Sequence, residues 1–144
     1  MLFSNERNEL RKMFFHTWHK HQTQQQLEPV EQQILQVMQD HPEYHQVLSA
    51  PEKFIDKDYL PELGQTNPFL HMSLHLGIRE QIATNRPFGI VTIYQQLLVK
   101  YHGKHLEVEH CMLEVLAEQI WQSQKNNTMP DEKQYLLILQ ELLK

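Results

Sequence analysis

Apolar residues recur along this chain at helical spacing, separated by short polar runs, and the pattern predicts five or six helices. Residues 5–22 carry Leu10, Met13, Phe14 and Thr17 on one stripe, flanked by Phe15 and Trp18. Arg7, Arg11, Lys12, His16, His19 and Lys20 fall on the other side. A glutamine-rich link, residues 22–26, precedes a second helix opened by Pro29, with Val30, Ile34, Val37 and Met38 on its stripe. Pro42 disfavours a helical backbone at His41, so that helix ends there. His41 can cap the turn that follows, and His45 comes one turn later. Residues 46–66, with Pro51, Pro61 and Gly64, form one long connection, either a lid or a holder of a short helical turn. Phe54, Ile55, Tyr59 and Leu60 would pin it down.

Asn67 is a good N-cap and Pro68 suits the first helical position, so the spacing predicts a central helix over 68–84. Gly89 precedes a fourth helix with Ile90, Ile93, Tyr94, Leu97, Leu98 and Tyr101 in register, and Gly103 suits a left-handed cap at its end. A fifth, over 104–125, has Leu106, Leu113, Leu116 and Ile120 as its core stripe, with His110, Ala117 and Trp121 on one flank. Thr128 to Asp131 reads as a capping box before a last helix bearing Tyr135, Leu136, Leu139, Leu142 and Leu143. The expected architecture is all-α, a single-domain helical bundle over 1–144 with one long connecting loop.

Composition agrees with this and narrows the functions. The 144 residues include only 4 glycines, with 40% hydrophobic and 22% charged residues, ordinary for a globular chain. A net charge of −5 argues against non-specific nucleic-acid binding, though the basic face of the first helix keeps RNA as a minor alternative. The run from Met1 to Arg7 turns charged before an apolar stretch develops, so no secretory signal is expected, and no segment reaches membrane-spanning length. The lone Cys111 fits a reducing compartment, and the cytoplasm is the expected location. No Gly-rich phosphate loop, Gly-x-Ser-x-Gly elbow or paired-cysteine motif is present. Ser73 points away from His71 and His75, and Cys111 is turned about 100° from His110.

The 10 histidines are what stand out. His71 and His75 are one turn apart, about 40° around the axis and roughly 5–6 Å from each other. Ile78 and Ile82 share their stripe, so both histidines face an apolar interior. Glu107, His110 and Glu114 lie within about 60° of one another on the fifth helix. Glu-x-x-His facing histidines or carboxylates on other helices is how di-metal sites are built in four-helix bundles. His41/His45, His71/His75 and His110/Glu114 therefore give three candidate ligand pairs, with Glu107 as a bridging or supporting carboxylate. Such a set suits a transition metal, iron or zinc foremost, with nickel and copper also compatible, over magnesium or calcium. The alternative is that these histidines are core residues satisfied by backbone carbonyls and by Glu107, Glu109 or Glu114, or that they line a homodimer seam with Arg79 and Glu80 in ion pairs. The chain would then be a non-catalytic interaction module.

Several of these segments also carry a likeness. His41-Pro42-Glu43-Tyr44-His45, Gly64-Gln65-Thr66-Asn67-Pro68-Phe69-Leu70-His71, Leu74-His75-Leu76, Ile78-Arg79-Glu80-Gln81 and Arg86-Pro87 resemble a family of small bacterial proteins. It is the domain-of-unknown-function family numbered eighteen forty-one. Glu109-His110, Trp121-Gln122 and Pro130-Asp131-Glu132 match it as well, whereas the glutamine-rich link does not. The resemblance implies one small, mostly helical bacterial domain and assigns no activity, substrate or cofactor. Together these features point to a metal-binding bundle, comparable to hemerythrin and the di-iron carboxylate proteins by analogy of ligand spacing alone. Whether the chain is an enzyme stays open.

Overall fold

The computed structural model describes residues 2–144; Met1, from the run read for a signal sequence, lies outside the described residues. Among those residues there is no strand, and the all-α expectation holds. They form eight α-helices where the hydrophobic pattern predicts five or six. The excess comes from two single-turn helices, α3 (His45–Leu48) and α4 (Pro51–Phe54), with 3₁₀ turns at Pro42–Tyr44 and Pro61–Leu63. Helices of four residues are too short to express a hydrophobic period. No helix is long and apolar enough to cross a membrane among the described residues.

Two compact units divide the chain, the first ending at Ser73 and the second running from Leu74 to Lys144. In the first, α1 (Leu2–Gln22) packs against α2 (Pro29–Gln39) and α3. Helix α2 opens on Pro29 and on Glu31, whose carboxylate accepts from the backbone N–H of Glu28 (2.8 Å) and from Lys20 Nζ (3.0 Å). The buried stripe of α1 is Arg11, Phe14, Phe15 and Trp18, at i, i+3, i+4, i+7 spacing. Leu10 and Met13, expected in the core, are 42% and 46% exposed, while Arg11, expected on the polar face, is 1% exposed. Three aromatic side chains set the rotation of the helix, and a single arginine goes inward with them.

The second unit contains most of α5 (Pro68–Thr84), then α6 (Ile90–Lys100), α7 (His105–Lys125) and α8 (Glu132–Glu141). Its core gathers Ile78, Ile90, Ile93, Leu97, Val108, Met112, Leu113, Tyr135 and Leu139. Tyr135 donates its hydroxyl to Gln81 Oε1 at 2.7 Å, which satisfies the buried phenol. Helix α6 ends in a left-handed pair, His102 (φ 58°) and Gly103 (φ 78°), with the Gly103 N–H returning to Leu98 O at 2.7 Å. The cap of α8 is Asp131, which accepts from Gln134 N at 3.1 Å, three residues beyond the Thr128 of the expected capping box.

Helix α5 follows its sequence expectation end to end. Asn67 Oδ1 accepts from the backbone N–H of Phe69 (3.0 Å) and Leu70 (3.2 Å), satisfying two donors that the first turn leaves without partners. Asn67→Ala should cost about 1 kcal/mol, read as a lower denaturant midpoint at constant slope. An unchanged midpoint would show that Pro68 and packing alone start the helix.

Candidate metal centre

The site begins where α2 stops. Pro42 ends the helix, leaving its last carbonyls without helical partners, and two histidine rings take them up. His41 Nδ1 donates to Val37 O at 2.7 Å and His45 Nε2 donates to Met38 O at 2.8 Å. A carbonyl only accepts, so these bonds fix each ring's tautomer. In neutral His41 the lone pair then sits on Nε2, and in His45 on Nδ1. The His45 ring lies 4.4 Å from the Trp18 ring, tying α3 to α1. The buried His41 ring stacks on Tyr44 (5.5 Å, 3° between planes) and meets the His71 ring edge-on at 5.0 Å and 80°. Tyr44 also meets His71 edge-on at 6.0 Å, and burial raises its phenol pKa.

One turn along α5 from His71 stands His75, fully buried. Its Nδ1 lies 2.8 Å from Glu109 Oε1 on α7, which again assigns the proton to Nδ1 and the neutral ring's lone pair to Nε2. Arg79, one turn further, donates from Nε to Oε1 (3.1 Å) and Oε2 (3.3 Å) of the same carboxylate. Glu109 is buried, so its charge is held by the arginine and by the ring N–H rather than by solvent. Tyr94 lies in that field: burial, and then the Glu109 charge, raise its phenol pKa. The His75 and His110 rings meet edge-on at 4.8 Å and 78°.

Each compact unit thus holds a pair of neighbouring histidine rings. His41 with His71 in the first unit, and His75 with His110 in the second, are close histidine pairs, and histidines grouped in this way could hold a metal ion. His41 and His75 are buried, whereas His71 and His110 keep part of their surface exposed.

Of the seven residues singled out from the sequence, His41 meets His71 in the first unit and His75 meets His110 in the second. His45 stands apart, occupied by Met38 O and Trp18. Glu107 is exposed beside Lys104 (3.9 Å), and Glu114 is also exposed. The inward positions of α7 are Val108, Glu109, Met112 and Leu113. Helical spacing alone named Glu109 only as a partner for a core histidine, and Arg79 only as a seam residue. The signal for both was their position: Arg79 is one turn after His75, and Glu109 sits between Val108 and His110.

No curated protein and no solved structure matches the chain. A family model does match it over residues 6–141, nearly its whole length, and the chain belongs to that family, the domain of unknown function DUF1841.

Proposed function

We propose that this protein binds a transition-metal ion through histidines of these two pairs, His41 and His71 in the first unit and His75 and His110 in the second, with Glu109 and Arg79 orienting His75. The observation that carries the reading is the pairing of imidazoles in each unit, one ring of each pair with its Nδ1 proton fixed by an acceptor. A ligating histidine that donates its other ring N–H to a carboxylate or carbonyl is the usual supporting arrangement at metal sites. Imidazole nitrogen donors suit zinc, iron, copper or nickel. Glu107 and Glu114 are exposed on α7, which favours imidazole ligands over a carboxylate-bridged pair of ions. Iron or copper would bring redox or oxygen chemistry, and zinc a polarised ligand. The family match across both compact units supports treating the chain as one functional domain, and the free Cys111 thiol supports a reducing cytoplasmic setting.

The competing reading keeps the same hydrogen bonds as purely structural and makes the chain an interaction module, monomeric or dimeric. Elemental analysis of untagged protein purified without chelator separates the two. One equivalent of a single transition metal, removable by chelation and restored on reconstitution, is expected. Trace amounts of mixed metals that fail to reconstitute would reject the site.

Glu109→Gln should lower metal affinity by roughly 10–100-fold without removing a ligand, because the amide no longer polarises the His75 ring. Competition against a chromophoric chelator measures this, and wild-type affinity in the variant would show that Glu109 serves folding alone.

A further inference from the structure

We propose that the outward face of α1, in the first unit, seats a second copy of this chain, α1 against α1 and antiparallel. The contact needs no metal. Leu10 and Met13 on α1 and Val30 at the start of α2 are 42%, 46% and 53% exposed, apolar surface that the fold leaves uncovered. Met13 and Val30 line an open groove of about 360 Å³ between the two helices, together with Glu9, Lys12, His16 and Glu28. Lys12 and His16 also border a second groove, of about 420 Å³, beside Phe15, Pro51 and Ile55. They stand as an i, i+4 ridge between the two grooves, the shape that packs into the groove of a facing helix. Charge decides which partner fits. The ridge is basic, and the Met13–Val30 groove beside it carries the exposed carboxylates of Glu9 and Glu28. Within one copy Glu9 holds Lys12 only by an exposed pair at 3.4 Å, which is readily exchanged. A partner of one charge sign would leave either the ridge or the groove unmatched. A face that carries both is complementary to itself, as a two-fold contact requires. Antiparallel pairing runs the order Glu9, Lys12, His16 of one copy against its reverse. Lys12 of each copy then meets Glu9 of the other, while Met13 and Val30 leave water.

Sedimentation velocity on the untagged full chain, in the presence of a chelator, tests this over a wide range of concentration. The mass should rise from one chain to two and stop there. Met13→Glu, which sets a carboxylate among the apolar residues of the groove, should weaken the dimer by roughly 10-fold or more. Lys12→Glu and Glu9→Lys should each stay monomeric at concentrations where wild type pairs, because like charges then meet twice across the axis. Mixed together, these two variants should pair with each other, since both contacts across the axis again join opposite charges. All three positions are exposed, so circular dichroism should show the helices of each variant intact. A chain that stays monomeric at every concentration would overturn the inference. So would a mass that climbs past two chains, or a dimer that the chelator dissolves. A dimer indifferent to Met13→Glu and to both charge variants uses another face, and would overturn it as well. Charge variants that stay monomeric even when mixed would overturn the antiparallel arrangement, and the proposal with it. Because the chelator is present throughout, none of these outcomes bears on the histidine pairs.

Discussion

Replacing His71 with glutamine is expected to remove stoichiometric metal while leaving the helices of the metal-free protein in place. His71 is the choice because its ring is only partly buried and meets His41 and Tyr44 edge-on. His75 is less informative. It is fully buried against Glu109, so His75→Gln alters a hydrogen-bonded core whether or not metal binds. Two measurements on His71→Gln decide the matter: metal per chain after reconstitution, and thermal unfolding with and without metal. Wild type should gain about 2.7 kcal/mol from metal at 100 times the dissociation constant. In the variant that gain should disappear while the metal-free midpoint stays close to wild type. If the variant still binds one equivalent with wild-type affinity, His71 is not a ligand and the reading of the first unit's pair is wrong. If it loses its fold while wild type never shows a metal-dependent gain, the histidines are structural, as the interaction-module reading holds.

What could be read from the sequence follows a physical division. Helix ends are set by nearby residues, and Asn67-Pro68, Pro29 and Gly103 act within one turn, so α2, α5 and α6 are legible in the sequence itself. Which face of a helix turns inward is settled by partners distant in sequence. On α1 that outcome favoured Phe14, Phe15 and Trp18, and Leu10 and Met13 were left outside. On α7 it favoured Val108, Met112 and Leu113, which carried Glu109 inward and left Glu107 and Glu114 in solvent. The His71/His75 pair was readable because one helix fixes both rings. His41 and His45 were not separable, since Pro42 places each near the same helix end. Only the direction of the Val37 and Met38 carbonyls distinguishes them. Arg11 shows the limit most plainly: a charged residue in a helix reads as solvated unless its acceptors, more than forty residues later, are known.

Arg11 should also give the largest stability effect of any single side chain outside the apolar core. Its Nη1 lies 3.1, 3.0 and 2.7 Å from the carbonyl oxygens of Phe54, Ile55 and Lys57. The guanidinium stands over the Phe69 ring at 4.8 Å and the Tyr59 ring at 5.7 Å. Burial first, and the Arg7 charge second, lower its pKa, yet a guanidinium stays protonated, so the buried charge must keep these acceptors. Arg11→Met keeps most of the volume and removes the donors. It is expected to cost about 3 kcal/mol, or roughly 10 °C in midpoint. Arg11→Lys should recover only part of this, because one ammonium cannot reproduce the planar contact with both rings and the carbonyls. Arg7, one turn earlier, makes the opposite case. Its 2.6 Å pair with Asp58 is solvent-exposed, so Arg7→Met should cost a small fraction of that, and the loss should shrink further at high salt. An Arg11→Met protein with a wild-type midpoint would mean that the Phe54–Lys57 segment is held by its own packing. Equal losses from the two arginines would mean that net charge on α1, rather than the buried donor, anchors that segment.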